Sequence, residues 1–237
     1  MQKILSSEQV KAFYHDEFVA DQVRDFVLLL GDKAKHTNVV DVGGGCGFFA
    51  QHLADLTGYK ARVIDMDPAS IAACQARGID ATLGDAIHPQ ITEQDDIVCF
   101  NLILHHLVAD TDRNTLSLQK QALEVWHEHA TGVFVNEYIY ESYFDNASGW
   151  LIFQITKSKF LSAIGKLISK VVSSLKANTF GVGVRFRAHN EWHQVFEAAG
   201  FNVKAVAHGN AEPVTLARRL LLIRQIRRDS FLLEPKV

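Results

Sequence analysis

Apolar residues recur along the chain in two alternating rhythms. Val10, Phe13, Tyr14, Phe18, Val19, Val23, Phe26, Val27 and Leu30 fall at helical spacing. They predict one or two helices between about Glu8 and Leu30, stopped by Gly31. Short apolar runs and helical stretches then take turns. Strands are predicted at Val39–Val42, Ala61–Met66, Ile79–Leu83, Asp96–Leu102 and Gly132–Tyr138. Between them come helices at Phe48–Leu56, from Pro68 to about Arg77, and at Asn114–His129. Strands alternating with helices of this length predict an α/β fold with a parallel, doubly wound sheet. A helix Asn190–Ala199 follows, with Asn190 as its N-cap, Glu191 in its first turn and Gly200 as its stop. Strands at Asn202–Ala207 and Leu220–Ile226 complete the pattern and predict an antiparallel hairpin at the sheet edge.

The alternation fails between Ser142 and Arg187. Within it, residues 153–175 place Phe153, Phe160, Ile164, Leu167, Ile168, Val171, Val172 and Leu175 on one helical face. Lys159, Lys166 and Lys170 fall opposite, with Ser158, Ser162, Ser169 and Ser173. Three readings of this amphipathic helix compete: a cap that roofs an acceptor pocket, a homodimer contact, and an anchor to membrane surfaces or a lipid-like acceptor. The expected organisation is one domain over 1–237, with an N-terminal helical segment (1–37) and an inserted helical cap or lid (142–187).

Composition narrows the classes. Hydrophobic residues make up 48% of the 237, ample for a core. A net charge of −3 argues against sequence-independent nucleic-acid binding, which needs positive charge to displace counterions. No run reaches the ~18 apolar residues of a membrane span, and the N-terminus lacks a signal-peptide core, so a cytoplasmic protein is expected. Cys46, Cys74 and Cys99 show no CxxC spacing, and Cys46 and Cys99 read as small buried thiols of a reducing compartment. No metal cluster stands out. His127-x-His129 sits at the end of a helix expected to face solvent, without further ligands nearby.

The sharpest chemical signal is VVDVGGGCGFFAQHL, in which a strand runs into Asp41-x-Gly43-x-Gly45-x-Gly47 and then a helix. The glycines let a ligand lie against bare backbone at a helix N-terminus. The spacing is not the Gly-x-Gly-x-x-Gly of dinucleotide enzymes. Asp41 could accept from an ammonium group, whereas it would repel a pyrophosphate. Asp65 ends the second strand, 18 residues beyond Gly47, where a carboxylate meets ribose hydroxyls. The competing reading of Asp65 is a helix cap, for which Asp67 before Pro68 is the better candidate.

These motifs, in this order, resemble the class I S-adenosylmethionine-dependent methyltransferases over roughly Val39 to Tyr138. DVGGGCG is similar to the family's first motif, and Asp65 matches its ribose-binding acid. LGDA (Leu83–Ala86) resembles the third motif, and DDIVCFNLILHHL (Asp95–Leu107) the fourth strand and its loop. The resemblance implies a Rossmann-like sheet of seven strands with an antiparallel last strand. It also implies S-adenosylmethionine as cofactor, with S-adenosylhomocysteine as product. Asp41, Gly43 and Gly45 would hold the methionine part, Gly47 would pack the helix, Asp65 with Met66 would meet the ribose, and Asp85 with Ala86 the adenine. Asn101 would take the amino-acid end. Asp85 also reads as a turn residue, and Asn101 as a strand-end cap.

Methyl transfer to a phenol, thiol or ammonium needs the acceptor's proton removed near neutrality. In LILHHLVAD, His105 aligns with the base of small-molecule O-methyltransferases, whereas His106 and Leu107 depart from that pattern. Glu137, Tyr138 and Tyr140 reach the same rim from the fifth strand and are candidates for orienting an acceptor. Arg187 or His189 could touch an anionic one, beside Arg185 and Trp192. The expected function is methylation of a small, apolar or aromatic acceptor by these residues. The alternatives are a non-catalytic cofactor-binding or scaffolding protein, and a nicotinamide-dependent oxidoreductase.

Overall fold

A computed structural model describes residues 18–31, 38–163 and 181–236. Helix α1 (Val19–Leu30) buries Val23, Phe26 and Leu30, spaced three and four apart, and ends at Gly31 with a positive φ of 58°. The alternation that follows is β1 (Asn38–Val42), α2 (Phe48–Thr57), β2 (Lys60–Asp65), α3 (Pro68–Ala76), β3 (Asp80–Leu83), β4 (Ile97–Asn101), α4 (Asp112–Glu124) and β5 (Gly132–Ser142). Beyond it lie α5 (Ala147–Lys157), α6 (His189–Ala198), β6 (Phe201–His208), α7 (Leu216–Leu220) and β7 (Ile223–Pro235).

The seven strands form one sheet in the order β3-β2-β1-β4-β5-β7-β6. β3 to β5 are parallel, and β7 runs antiparallel between β5 and β6. This is a Rossmann-like, doubly wound architecture with one antiparallel strand. Chain order reverses between β1 and β4, so the crevice at their carboxyl ends is where ligands bind in such sheets. α1 and α2 cover one face through Phe26, Phe49, Leu53 and Phe134. The other face is covered by Leu123 and Trp126 and by Trp192, Val195 and Phe196 of α6, against Val40, Phe100, Val135 and Phe231. Each such side chain, fully buried, contributes roughly 1.5–3 kcal/mol. The first face also holds a polar chain: Gln22 donates to Asn136, Asn136 to Ser230, and Ser230 to Asp25.

Several sequence expectations need correction. α4 starts at Asp112, capped by Thr111, and ends at Glu124, so His127 and His129 lie in the turns beyond it. His127 packs edge-on against Phe201 instead of facing solvent freely. α6 starts at His189, not after Asn190, because Glu191 reaches back to the Ala188 N–H and fixes the first turn there. The last strand is not Leu220–Ile226. Leu216–Leu220 is a short helix, and β7 continues through Arg227, Arg228 and Asp229 to Pro235. Those charges look like a strand end in sequence, but each finds a partner inside the fold. The helix expected over 153–175 is broken at Ser158, which is extended (φ −82°, ψ 123°). Its remainder from Ile164 lies outside the described residues, as does the expected helix over 8–17. Among the described residues no helix is long and apolar enough to cross a membrane.

Candidate active site

The turn after β1 carries Gly43, Gly45 and Gly47 at positive φ (72°, 55° and 76°). A side chain at Gly43 would strike Ile103, and one at Gly47 would strike Ile79 and Cys74. The turn is also fastened from outside. The Gly43 N–H donates to the Ile64 carbonyl, the Cys74 thiol to the Gly45 carbonyl, and Arg77 to the Cys46 carbonyl. All three cysteines are buried free thiols.

Asp41 and Asn101 end adjacent parallel strands, and the Asn101 amide donates to Asp41 Oδ1 at 3.0 Å. The second oxygen of Asp41 and the side-chain oxygen of Asn101 are both buried without a protein partner. Burial, offset in part by the Asn101 bond and reinforced by the Asp65 charge, raises the Asp41 carboxyl to about 7. Immediately after Asn101, Leu102 adopts φ 56°, with its N–H held by the Asn136 carbonyl. A left-handed non-glycine residue costs on the order of 1–3 kcal/mol. It turns the chain sharply away from β4 and into the histidine pair.

Asp65 accepts from the Gly45 N–H (2.9 Å) and the Asp67 N–H (2.8 Å). It thereby ties the glycine turn to the start of α3, while Asp67 caps that helix through Ser70. Burial raises the Asp65 carboxyl despite these bonds. Met66, next to it, is 41% exposed. Asp85 accepts from the Ile87 and His88 N–H groups. Burial works against its charge, but these donors prevail and hold its carboxyl below the usual range. Ala86 beside it is buried.

The 3-10 turn Leu104–His106 is organised by Glu137, which is fully buried on β5. One carboxylate oxygen of Glu137 accepts the Leu104 N–H at 2.7 Å, and the other lies 2.6 Å from His105 Nδ1. The ring of His106 is 4.1 Å from that of His105. Burial, and secondarily His105, pushes the His106 imidazole well below its ordinary value.

Aromatic rings continue from the pair. Phe186 stacks on Tyr140 (4.1 Å between centroids, 6° between planes) and on His105 (5.0 Å), and meets Tyr138 edge-on. Burial, the largest influence, raises the Tyr140 phenol.

Phe186 is held by two buried arginines. Arg185 pairs with Asp112 (2.7 Å) and Glu191 (2.9 Å), and its N–H donates to the His105 carbonyl. Arg187 donates to Gln119 (2.7 Å) and lies 3.4 Å from Glu191. Burial, then repulsion from Arg185, lowers the Arg187 guanidinium to about 10. His189 pairs with Asp229.

The structure thus brings Asp41, the glycines, Asp65 and Asn101 together at the β1/β4 crevice. His105, His106, Glu137, Tyr138 and Tyr140 gather beside it. Arg187 is 4% exposed and serves the strap 185–187. Phe186 and Gln119 were not singled out by sequence. An aromatic alternating with arginines in Arg185-Phe186-Arg187 was the available signal.

Residues 40–123 match the family model described as a methyltransferase domain, a span running from β1 into α4. No curated protein matches the sequence. Among solved structures, the chain resembles the MccD protein (TM-score 0.62, 12% identity, covering 92% of this chain and 97% of that one). It also resembles human N-acetylserotonin methyltransferase in complex with SAM (TM-score 0.57, 18% identity, 96% of this chain and 55% of that one). A third is the [4+2]-cyclase SpnF (TM-score 0.60, 13% identity, 92% and 82%). The chain spans about half the length of the human enzyme. These likenesses establish the fold.

Proposed function

We propose that this chain, whose residues 40–123 match a methyltransferase-domain family, transfers a methyl group from S-adenosylmethionine to a small apolar or aromatic acceptor. The observation that carries the reading is the pair of buried oxygens without protein partners, Asp41 Oδ2 and Asn101 Oδ1, beside the glycine turn. Leaving buried acceptors unbonded costs about 1–3 kcal/mol each. An α-ammonium group offers both of them charged donors, as the amino-acid end of S-adenosylmethionine does. A nicotinamide dinucleotide fits worse, because its pyrophosphate would meet the Asp41 carboxylate.

In this reading the glycine turn lays backbone against the methionine part of the cofactor, Asp65 and Met66 flank the ribose, and Asp85 and Ala86 the adenine. Bound there, the cofactor supplies an electrophilic methyl group on a sulfonium. What remains for the protein is to position the acceptor and remove its proton. Glu137 holds the His105 Nδ1–H, so Nε2 is the basic nitrogen that takes the acceptor's proton. His106, kept neutral by burial, packs against the His105 ring. Tyr138, Tyr140 and Phe186 form the wall on which a planar acceptor stacks, and Arg187 keeps that wall in place through Gln119. The match to a methyltransferase domain and the human neighbour, an N-acetylserotonin methyltransferase, support a small-molecule substrate.

Labelled-methyl transfer from S-adenosylmethionine to a panel of phenols, aromatic amines and long-chain aliphatic alcohols tests the reading. Transfer to at least one planar aromatic acceptor, abolished or severely reduced in His105→Gln, is expected. Transfer only to RNA or protein would overturn it.

A further inference from the structure

Outside the crevice, three residues from three elements converge on one point. Asp229, in the middle of β7 and fully buried, lies 2.8 Å through Oδ2 from Nδ1 of His189, the first residue of α6. The same oxygen lies 3.2 Å from Nδ1 of His208, the last residue of β6. Ligand-capable atoms of all three residues lie within 4.8 Å of one another. We propose that His189, His208 and Asp229 form a binding site for a divalent transition-metal ion of the zinc class. It lies apart from the cofactor crevice, and its test does not depend on methyl transfer.

The donor chemistry fits such an ion. Two imidazoles and one carboxylate are the ligand types of a three-residue zinc site whose fourth position is left to water. Around a tetrahedral ion with bonds of about 2.0–2.1 Å, ligand atoms stand about 3.3 Å apart. The observed separations from Asp229 are therefore close to what coordination needs. A polar partner behind one of the imidazoles is also in place. Metal-bound histidines hand their other ring nitrogen to a polar partner, and His189 Nε2 lies 3.1 Å from Nε2 of His193, one turn along α6. An ion can enter from solvent, since the His208 side chain is 61% exposed and that of His189 is 25% exposed.

Arg227 works against this site. Its Nε is 2.9 and 3.0 Å from the two Asp229 oxygens. The guanidinium neutralises part of the carboxylate charge and weakens cation binding, although it also touches Glu141, which can receive it. The Gly209 N–H donates to Asp229 Oδ1, so a shift of Arg227 onto Glu141 would leave Oδ2 for the ion.

Such an ion would clasp the fold at a consequential place. Asp229 pairs in register with Glu137 across β5 and β7, and with His208 across β6 and β7. The site thus shares one row and one face of the sheet with the carboxylate that holds His105. It would also pin His189, two residues beyond Arg187, whose carbonyl accepts from the Tyr140 N–H. The ion would anchor the far end of the strap that carries Phe186.

The test is direct titration of tag-free, chelator-stripped protein with Zn²⁺ by calorimetry, and with Co²⁺ by visible absorption. One equivalent is expected, with a tetrahedral Co²⁺ spectrum. Affinity should fall at least tenfold in His208→Ala and in Asp229→Asn, and about tenfold in the backing variant His193→Ala. His127→Ala should bind as the unaltered protein does. Because His208 is exposed, His208→Ala should keep its fold, checked by circular dichroism without metal. Zn²⁺ should raise the Tm of the unaltered protein and leave that of His208→Ala unchanged. Binding that survives His208→Ala in folded protein, or no saturable binding below millimolar Zn²⁺, would overturn the proposal. In that case Asp229 is only a hydrogen-bond hub.

Discussion

His105 Nδ1 lies 2.6 Å from Glu137 Oε2, and both side chains are buried. The same carboxylate takes the backbone N–H of Leu104. Glu137 therefore sets both the position of the turn and the proton arrangement of the imidazole. In the proposed reaction it would act through His105, as a positioning residue.

Replacing Glu137 with Gln removes the charge while keeping one oxygen for the Leu104 N–H. We expect kcat to fall by about 10²-fold, the low end for loss of general-base help. The Kd for S-adenosylmethionine should stay within about twofold. Steady-state kinetics over pH 5.5–9 beside calorimetry separates the two effects. Unchanged kcat and an unchanged pH profile would remove His105 from the chemistry.

Asp41 imposes a pH dependence whose sign is unusual for a carboxylate. Its folded value, about 7, stands above the ordinary 3.8, so between those values the folded protein holds a proton that the unfolded chain has released. Stability therefore falls as pH rises from about 4 to about 7. At about 1.4 kcal/mol per unit, the loss is on the order of a few kcal/mol. Asp41→Asn abolishes this titration. Thermal denaturation of the unliganded proteins should show the variant gaining on the unaltered protein from pH 5 to pH 8, while its affinity for S-adenosylmethionine drops at least tenfold. Parallel Tm curves would contradict the assignment.

Gly149 sits where α5 meets the strap. A Cβ there would come within 2.1 Å of the Phe186 carbonyl oxygen and 2.5 Å of an Arg185 guanidinium nitrogen. Gly149→Ala should cost about 1–3 kcal/mol, as overpacking generally does. By displacing Phe186 it should raise the acceptor KM severalfold without changing cofactor affinity. Urea denaturation and kinetics check the two effects separately.

Much of this was legible in the sequence. The period of apolar residues located β1 to β5 and the helices between them, because β1, β4 and β5 carry apolar runs and glycine or proline stands near the ends of β1, β2, β3 and β5. Asp41 and the glycine turn were legible because an acid stands before glycines spaced two apart, between a predicted strand and a predicted helix. Other features depend on contacts distant in the chain. β7 reads as ending at Ile226 until Arg227, Arg228 and Asp229 meet Glu141, Asp21, Glu212 and the histidines. The bonds from the Gly45 and Asp67 N–H groups to Asp65, which tie the glycine turn to the next helix, leave no mark in the sequence. Leu102 carries no sign of its left-handed backbone, since only the Asn136 carbonyl and the turn beyond require it. The burial of Arg187 is not legible either, because a buried arginine and an exposed one share the same letter.

Calorimetric titration of the unaltered protein at pH 7 with S-adenosylmethionine, S-adenosylhomocysteine and NADH bears most directly on the central claim. Saturable one-to-one binding of both adenosyl ligands, with none of NADH, is the expected result. Binding of NADH alone, or of none of the three, would contradict the methyltransferase reading of the crevice.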